Sequence, residues 1–436
     1  MALGGGTFIS QNKVLPGAYM NFISLANASS TVGDRGFAGM GLDLDWGVDG
    51  DIFEVTAGDF QKNSMKLFGY AYADDKMKGL RDLFKNITTL YAYKLTSGGK
   101  KASNTFATAK YAGVRGNDIK IVIQANVDDN SKFDVETYLG TTIVDSQTVA
   151  KTADLVANDY VTFKTTATLA VTAATPMTGG ENGTSDAAAH QKFLDKLESF
   201  PSINTVGYVG TNDAIKGLYS AFAERMRDQV GVKFQSVVYN KAADYEGVVN
   251  VKNKVTDEGA DEASLVYWVT GVVAGTAINA SAKNKLYDGE FTVDTDFTQS
   301  QLVNAIKAGE FTLHKVNSDI RVLDDINSLV TLTDTKGEVF QSNQTIRVID
   351  QIATDIAALF STKYMGKIPN DNPGRTSLWN DIVKHHKELE GMRAIENFDE
   401  KIVTVEKGDR KDSVLIGDQI EVVNAFGKLY MNVMVA

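Results

Sequence analysis

The 436-residue chain contains no cysteine, five prolines and only four histidines. The absence of cysteine excludes disulfides, thiolate metal sites, iron–sulfur clusters and cysteine nucleophiles. It suits assembly in a reducing compartment, although extracellular bacterial proteins can also lack cysteine. No H-x-x-x-H pair occurs among His190, His314, His385 and His386, so a histidine-based metal site is not predicted. We expect these histidines to be solvated side chains.

Motifs of nucleotide binding and catalysis are also missing. The sequence has no G-x-x-x-x-G-K-[S/T], and no G-x-S-x-G marks a serine nucleophile. The glycine-rich stretch does not fit G-x-G-x-x-G; its glycines are Gly33, Gly36, Gly39 and Gly41. The acidic cluster that follows lacks the spacing of an EF-hand, so we expect a solvated loop there; its residues are Asp43, Asp45, Asp49 and Asp51. We therefore predict a protein that is not an enzyme and has no cofactor and no metal.

The charge balance is acidic, with 55 acidic against 44 basic side chains and a formal net charge of −11. Such a chain binds phosphate backbones poorly, so nucleic acid is not an expected partner. The longest apolar stretch, Leu265 to Ile278, is shorter than the ~20 residues that cross a bilayer. The first residues lack the basic and apolar regions of a signal peptide. We expect a soluble protein with no membrane anchor and no cleavable leader.

Changes in composition predict a mixed α/β and β protein with several domains. Residues 98–182 are rich in Thr, Val, Ile and Ala, and short alternating runs such as Ile119, Ile121 and Ile123 indicate a β-sandwich. Strands and helices alternate afterwards, which is typical of a largely parallel sheet. The predicted parts are an N-terminal arm (1–22), a part packing with the core domains (23–97), the β-sandwich (98–182), an α/β domain (183–342), an α+β C-terminal domain (343–427) and a C-terminal arm strand (428–436).

The C-terminal region carries two further signals. The chain ends on YMNVMVA, an apolar stretch predicted as a strand, and an unpaired apolar strand invites pairing with another chain. A basic block from Lys384 to Lys387 lies on a predicted helix within this acidic chain. It is either a solvated face with pairs such as Lys384 with Glu388, or a contact surface for an acidic partner.

Several segments together resemble the contractile tail sheath proteins of myophages and phage-derived tail bacteriocins, particularly the Gram-positive type. The resemblance rests on their order and spacing: KVLPGAYMNF (Lys13–Phe22), GDRGFAGMGLDLDWG (Gly33–Gly47), KYAGVRGNDIKIVI (Lys110–Ile123), YWVTGVVAGTAINASAKNKLYDG (Tyr267–Gly289), NQTIRVIDQIATDI (Asn343–Ile356) and YMGKIPNDNPGR (Tyr364–Arg375). The resemblance runs from one end of the chain to the other.

This resemblance implies a subtilisin-like α/β domain without a protease's active residues, an inserted β-sandwich and a C-terminal domain facing an inner tube. The tube contact is expected on the helix Thr376–Gly391, through Lys384, His385 and Lys387. Terminal arms would add strands to neighbouring subunits, using Leu3, Phe8, Val14, Leu15, Tyr19, Phe22, Leu429, Tyr430, Met431, Val433 and Val435.

The resemblance also implies partners and a location. The partners would be other copies of the chain in stacked helical rings, the inner tail tube protein, and the baseplate and tail terminator proteins. The sheath would assemble in the bacterial cytoplasm and then belong to a virion tail or a released tail particle. Contraction of a metastable polymer would drive the tube through a cell envelope without a nucleotide.

Two other classes of protein stay open at this stage. A surface-layer or adhesin-like protein would suit the acidity, the missing cysteine and the β-rich region, although no signal peptide is evident. A hydrolase with a subtilisin-like fold is the second alternative, because a fold does not settle function. A serine-reactive probe would label one site in a hydrolase and none in a sheath protein.

Overall fold

A computed structural model describes residues 34–435. The chain divides into two compact units. Within the described residues, one unit comprises 34–351 with 422–435, and the other comprises 352–421. We call them the core unit and the C-terminal unit. The predicted N-terminal arm, residues 1–22 with Leu3 to Phe22, lies outside the described residues.

The elements in chain order are as follows. The strands are β1 (Phe37–Leu42), β2 (Ile52–Thr56), β3 (Thr89–Lys94), β4 (Ala107–Ala109), β5 (Ile119–Ala125), β6 (Phe133–Leu139), β7 (Thr142–Val149), β8 (Val161–Phe163), β9 (Thr172–Pro176), β10 (Thr205–Tyr208), β11 (Gln235–Tyr239), β12 (Val248–Val251), β13 (Glu310–Phe311), β14 (Leu313–Val316), β15 (Asp319–Val322), β16 (Ile395–Glu396), β17 (Thr404–Lys407), β18 (Val414–Gly417) and β19 (Glu421–Val422). The α-helices are α1 (Ala57–Phe68), α2 (Lys78–Phe84), α3 (Ala187–Leu197), α4 (Asp213–Arg225), α5 (Leu265–Gly275), α6 (Gln299–Lys307), α7 (Asn343–Leu359) and α8 (Asn372–Gly391).

The centre of the core unit is a seven-stranded sheet of order β13-β12-β11-β10-β1-β3-β2. Every neighbouring pair is parallel except β2 with β3. The alternation of strands and helices predicted a largely parallel sheet, and this is confirmed. Residues 34–97 supply three strands of this sheet, β1, β2 and β3, rather than a separate layer.

Helix α5 packs against the sheet and is apolar on nearly every side, as expected for a buried helix. Leu265, Val266 and Trp268 have no exposed surface. Two glycines let the helix approach the end of α2. A Cβ on Gly271 would lie 2.6 Å from the Leu83 carbonyl oxygen, and one on Gly275 would lie 1.6 Å from the Asn86 carbonyl oxygen. Close backbone packing therefore requires glycine at both positions.

The β-rich region lies between β3 and α3, as an insertion into the α/β chain path. It forms a four-stranded antiparallel sheet of order β7-β6-β5-β9 and a two-stranded sheet, β4-β8. Ile119, Ile121 and Ile123 on β5 are fully buried, which confirms the predicted alternation. Trp46 packs in the same core, with its ring edge against Tyr111 at 5.2 Å between centroids.

The C-terminal unit is built around α8, which begins at an N-cap, Asp371, whose side chain accepts from Gly374 N at 2.8 Å. Its apolar face includes Leu378 and Ile382, which cluster with Leu359 and Val403. Strands β17 and β18 form an antiparallel hairpin in the same unit. The predicted C-terminal helices, which correspond to α7 and α8, are confirmed.

Two expectations from the sequence require correction. His190, His385 and His386 are 3%, 1% and 0% exposed, so the prediction of solvated histidines is wrong for these three. Each has polar partners inside the protein, which removes the need for water. The segment Leu429–Val435, predicted as a strand, has no regular secondary structure in the single chain.

Helix α7 is fixed in the core unit by a buried ion pair. Arg227 donates from Nη1 and Nη2 to the two carboxylate oxygens of Asp350 at 2.6 and 2.8 Å, and Nη1 also donates to the Phe234 carbonyl at 2.8 Å. The side chains of Arg227 and Asp350 are 4% and 10% exposed. Removing one partner of such a pair leaves an uncompensated buried charge.

We expect Arg227→Met to lower the free energy of unfolding by about 3–5 kcal/mol, because Asp350 remains buried without its cation. Urea unfolding followed by circular dichroism measures the change. The control is Lys100→Met, which removes an exposed pair with Glu181 (71% and 59% exposed) and should cost about 0–1 kcal/mol. Equal losses in the two variants would contradict this account.

Candidate assembly surfaces

Hydrogen bonds from α7 hold the chain at residues 423–425. Gln344 on α7 donates from Nε2 to the Val423 carbonyl at 3.0 Å and accepts from Ala425 N at 2.9 Å. Asn424, between them, contacts the Thr345 hydroxyl at 3.3 Å. The buried amide of Gln344 thus bonds both the Val423 carbonyl and the Ala425 N–H, as the backbone of a neighbouring strand would. Beyond Ala425 no such bond holds the described chain.

The segment after this anchor is apolar and exposed. Its large apolar side chains are each between 69% and 104% exposed: Phe426, Leu429, Tyr430, Met431, Val433, Met434 and Val435. Soluble monomers rarely expose so continuous an apolar surface, and such patches mark interaction sites. We call residues 426–435 the C-terminal segment. The five arm residues that the sequence predicts here all lie within it: Leu429, Tyr430, Met431, Val433 and Val435.

The hairpin β17-β18 presents open strand edges. Thr404 pairs with Gly417 and Lys407 with Val414, and no third strand joins this sheet among residues 34–435. Leu415 is 63% exposed. Unpaired edges are templates for strands of another chain. The sequence indicated the two strands but gave no signal that both outer edges of the hairpin would be open.

Helix α8 exposes two of the three residues predicted to contact a tube. Lys384 and Lys387 are exposed, and Lys387 pairs with Glu400. Lys384 has no ion-pair partner within the described ranges, so the pair with Glu388, one of the two alternatives that the sequence left open, does not form. His385 is buried and cannot reach a partner from this conformation. The four consecutive polar residues 384–387 therefore divide between the two faces of the helix, with the lysines exposed and the histidines buried.

A crevice of about 950 Å³ lies where the chain order reverses, at the carboxyl ends of β1 and β10. Asp43, His190 and Ser264 all line it. His190 Nδ1, however, lies 2.9 Å from the Tyr219 hydroxyl, and burial lowers the pKa of His190. No Asp–His–Ser hydrogen-bonded relay connects the described residues, which a serine hydrolase requires.

The aspartates after β1 are not simply a solvated loop. Asp45 accepts from the Tyr70 hydroxyl at 2.7 Å, from Asn182 Nδ2 at 2.9 Å and from Lys76 Nζ at 3.3 Å. Burial alone would raise the pKa of Asp45, but these contacts outweigh it and the pKa is lowered. Asp45 therefore joins the β-sandwich to the sheet as a structural carboxylate. Among residues 34–435, no group of three or more acidic or histidine side chains is arranged to hold a metal.

Three consecutive parts of the chain match domains of one protein family. Residues 96–182 match the β-sandwich domain of phage tail sheath proteins, residues 183–328 match their central domain, and residues 335–436 match their C-terminal domain. The three matches follow one another along the chain. The chain belongs to the phage tail sheath protein family.

Individual relatives agree with that assignment. The chain is 32% identical to the phage-like element PBSX protein XkdK of Bacillus subtilis (strain 168), over 99% of this chain and 100% of that protein. It is 36% identical to the sheath tail protein of Desulfitobacterium hafniense, whose crystal structure superposes with a TM-score of 0.82 over 94% of this chain and 98% of that one. The helical sheath of the anti-feeding prophage in its contracted state shares the fold alone, with 13% identity and a TM-score of 0.56 over 97% and 99% of the two chains.

The family makes this chain a structural subunit of a contractile tail sheath and not an enzyme. That decides against both the hydrolase and the surface-layer protein that the sequence left open. No helix within residues 34–435 is both long and apolar enough to cross a lipid bilayer.

We expect Gln344→Leu to free the start of the C-terminal segment. The leucine side chain can neither donate to the Val423 carbonyl nor accept from the Ala425 amide, so two bonds worth about 1 kcal/mol each are lost. Hydrogen exchange at the Ala425 amide, read by mass spectrometry, should accelerate roughly tenfold. The control is Gln299→Leu, the same change at an exposed position on α6; faster exchange in that variant too would refute the anchoring role.

Proposed function

We propose that this protein polymerises as stacked helical rings around an inner tail tube and contracts to drive that tube through a cell envelope. The observation that carries the proposal is the exposed apolar C-terminal segment in a member of the tail sheath family. A segment of this kind is costly in a monomer and is stabilised when another copy covers it. The energy that drives contraction is stored when the polymer assembles, so no nucleotide is required.

The C-terminal segment acts as an arm that adds a strand to a neighbouring copy. Its backbone has no ladder partner in the described chain, and β17-β18 offers open edges in every copy. Addition of a strand to an edge satisfies backbone donors and acceptors on both chains. The N-terminal arm, with Leu3, Phe8, Val14, Leu15, Tyr19 and Phe22, is assigned the same role from its sequence.

The inner-tube contact lies on α8, through Lys384 and Lys387. Both side chains are exposed, and the cation of Lys384 has no ion pair among the described residues, which suits an acidic partner surface. His385 is not part of this contact surface, because its side chain is buried beneath it. The baseplate and the tail terminator would bound the polymer, which assembles in the bacterial cytoplasm before it joins a tail.

The core unit has the arrangement of a subtilisin-like domain that lacks a protease's active groups. Three features support this proposal: the parallel sheet, the buried helix α5, and the crevice where Asp43, His190 and Ser264 come near one another without a relay. The fold then serves as a rigid carrier of assembly surfaces, since fold alone does not dictate chemistry.

We expect the double variant Tyr430→Asp with Val433→Asp to abolish polymer formation. Each change removes apolar burial worth about 2 kcal/mol and places a charge in an apolar contact. Sedimentation and negative-stain electron microscopy of the purified protein measure the loss. The folded monomer should be unaffected, because both side chains are exposed in the single chain.

The control is Val127→Asp, which adds one carboxylate at a side chain that is 92% exposed in the loop between β5 and β6. This variant should polymerise like the wild type. Cylinders of normal length from the double variant would sink the arm assignment. Failure of both variants would instead indicate sensitivity to added charge anywhere on the surface.

We expect Lys384→Glu with Lys387→Glu to prevent co-assembly with the tube protein while leaving tube-free polymer intact. Charge reversal replaces attraction by repulsion at the contact, and the effect should weaken as salt is raised. Co-sedimentation with purified tube protein at increasing salt is the measurement. Lys401→Glu with Lys411→Glu, at exposed positions of the same unit, keeps the net charge change equal. Normal tube binding by the α8 variant would place the contact elsewhere.

A further inference from the structure

Four side chains form one hydrogen-bonded row inside the C-terminal unit, in which two buried imidazoles lie between two partly exposed aspartates. His385 Nε2 lies 3.0 Å from Asp355 Oδ2 on α7, and His386 Nε2 lies 2.7 Å from Asp418 Oδ2 after β18. The two rings meet through their Nδ1 atoms, which are 3.3 Å apart. Both imidazoles are at most 1% exposed, and the aspartates are 11% and 25% exposed.

The three contacts of this row fix the number of protons that it holds. Each contact is a hydrogen bond only if one proton lies between its two atoms, so the row contains three protons. Two neutral histidines carry one N–H proton each and supply two of the three. One additional proton is therefore required, whichever atoms carry it. A fourth proton would place two N–H groups, or two donors, against each other, so the row accepts one extra proton and no more.

We propose that His385, His386, Asp355 and Asp418 form a binding site for a single proton that joins α7, α8 and the chain following β18. Ionised aspartates keep that proton on the imidazole pair, since carboxylates at both ends accept from Nε2. Burial opposes ionisation of Asp418, but the hydrogen bond and charge of His386 outweigh it, and the pKa of Asp418 is lowered. The two rings share one positive charge between two negative ones.

Two kinds of group surround the rings. Phe398, before β17, contributes a neutral ring 5.1 Å from that of His386. On α8 itself, Lys387 pairs with Glu400 and Asp381 pairs with Lys363 at 2.6 Å, and Lys384 is exposed. The titratable side chains hydrogen-bonded to the pair are Asp355 and Asp418.

Loss of the row at each extreme of pH has a different cause. Because the folded pKa of Asp418 is lowered, its stabilisation is present above the unfolded value of about 3.9 and is lost as the pH falls through the folded value. The shared proton acts in the opposite direction, because its removal leaves two Nδ1 lone pairs facing each other across the contact between the rings.

The direct test is nitrogen-15 NMR of the full chain labelled only at histidine. At a pH of about 7.5, where ordinary histidines are neutral, one ring of the pair should keep both its protons, with coupling across the Nδ1–Nδ1 bond. His386→Gln assigns the signals. Two neutral rings at every pH down to about 6 would overturn the proposal.

Thermal unfolding provides a second, independent test. His386→Gln keeps a hydrogen-bond donor for Asp418 but removes the nitrogen that His385 Nδ1 contacts. Raising the pH from about 6 to about 9 should lower the Tm of the wild type by about 2–4 °C more than that of this variant. His314→Gln, at a half-buried histidine on β14, is the control and should follow the wild type. Parallel curves for the wild type and His386→Gln would refute a proton held in the folded state.

Discussion

The parallel pairing of β1 with both β3 and β10 is the contact on which the rest of the core unit depends. Strand β1 joins β3, which precedes the β-sandwich, to β10, which follows it. The sandwich can therefore leave and return to the sheet without interrupting it. Helix α5 covers this junction, and its glycines allow the approach of α2. Disruption of β1 would separate the two halves of the sheet and expose the buried helix.

Much of this architecture was predictable because it follows from periodicity. The alternating isoleucines of β5 and the apolar stripes of α7 and α8 appear in the sequence with the spacing their burial requires. Residues 34–97 were harder to place. Strand β1 reads FAGMGL and has glycine where strand formers are usual, because Leu197 and Leu95 pack closely over Gly39 and Gly41. That reason is tertiary and has no local signal.

The candidate surfaces divide in the same way. The apolar C-terminal segment could be identified from composition alone, because an apolar run at the end of a chain predicts a surface that pairs with another chain. His385 and His386 could not be placed, because adjacent residues on a helix point about 100° apart and only the packing of α7 and Asp418 decides that both are buried. The anchor at Gln344 depends on a single amide meeting a distant backbone, which sequence spacing cannot reveal.

The anchor at Gln344 also sets a length. Residues 426–435, extended at about 3.3 Å each, span roughly 33 Å beyond the last backbone bond of the anchor, at Ala425. Under the proposed strand addition, the edge that accepts these ten residues on a neighbouring copy would lie inside that radius. The link would then behave as a tether, and two copies could turn and slide about the anchor while their backbones stay connected.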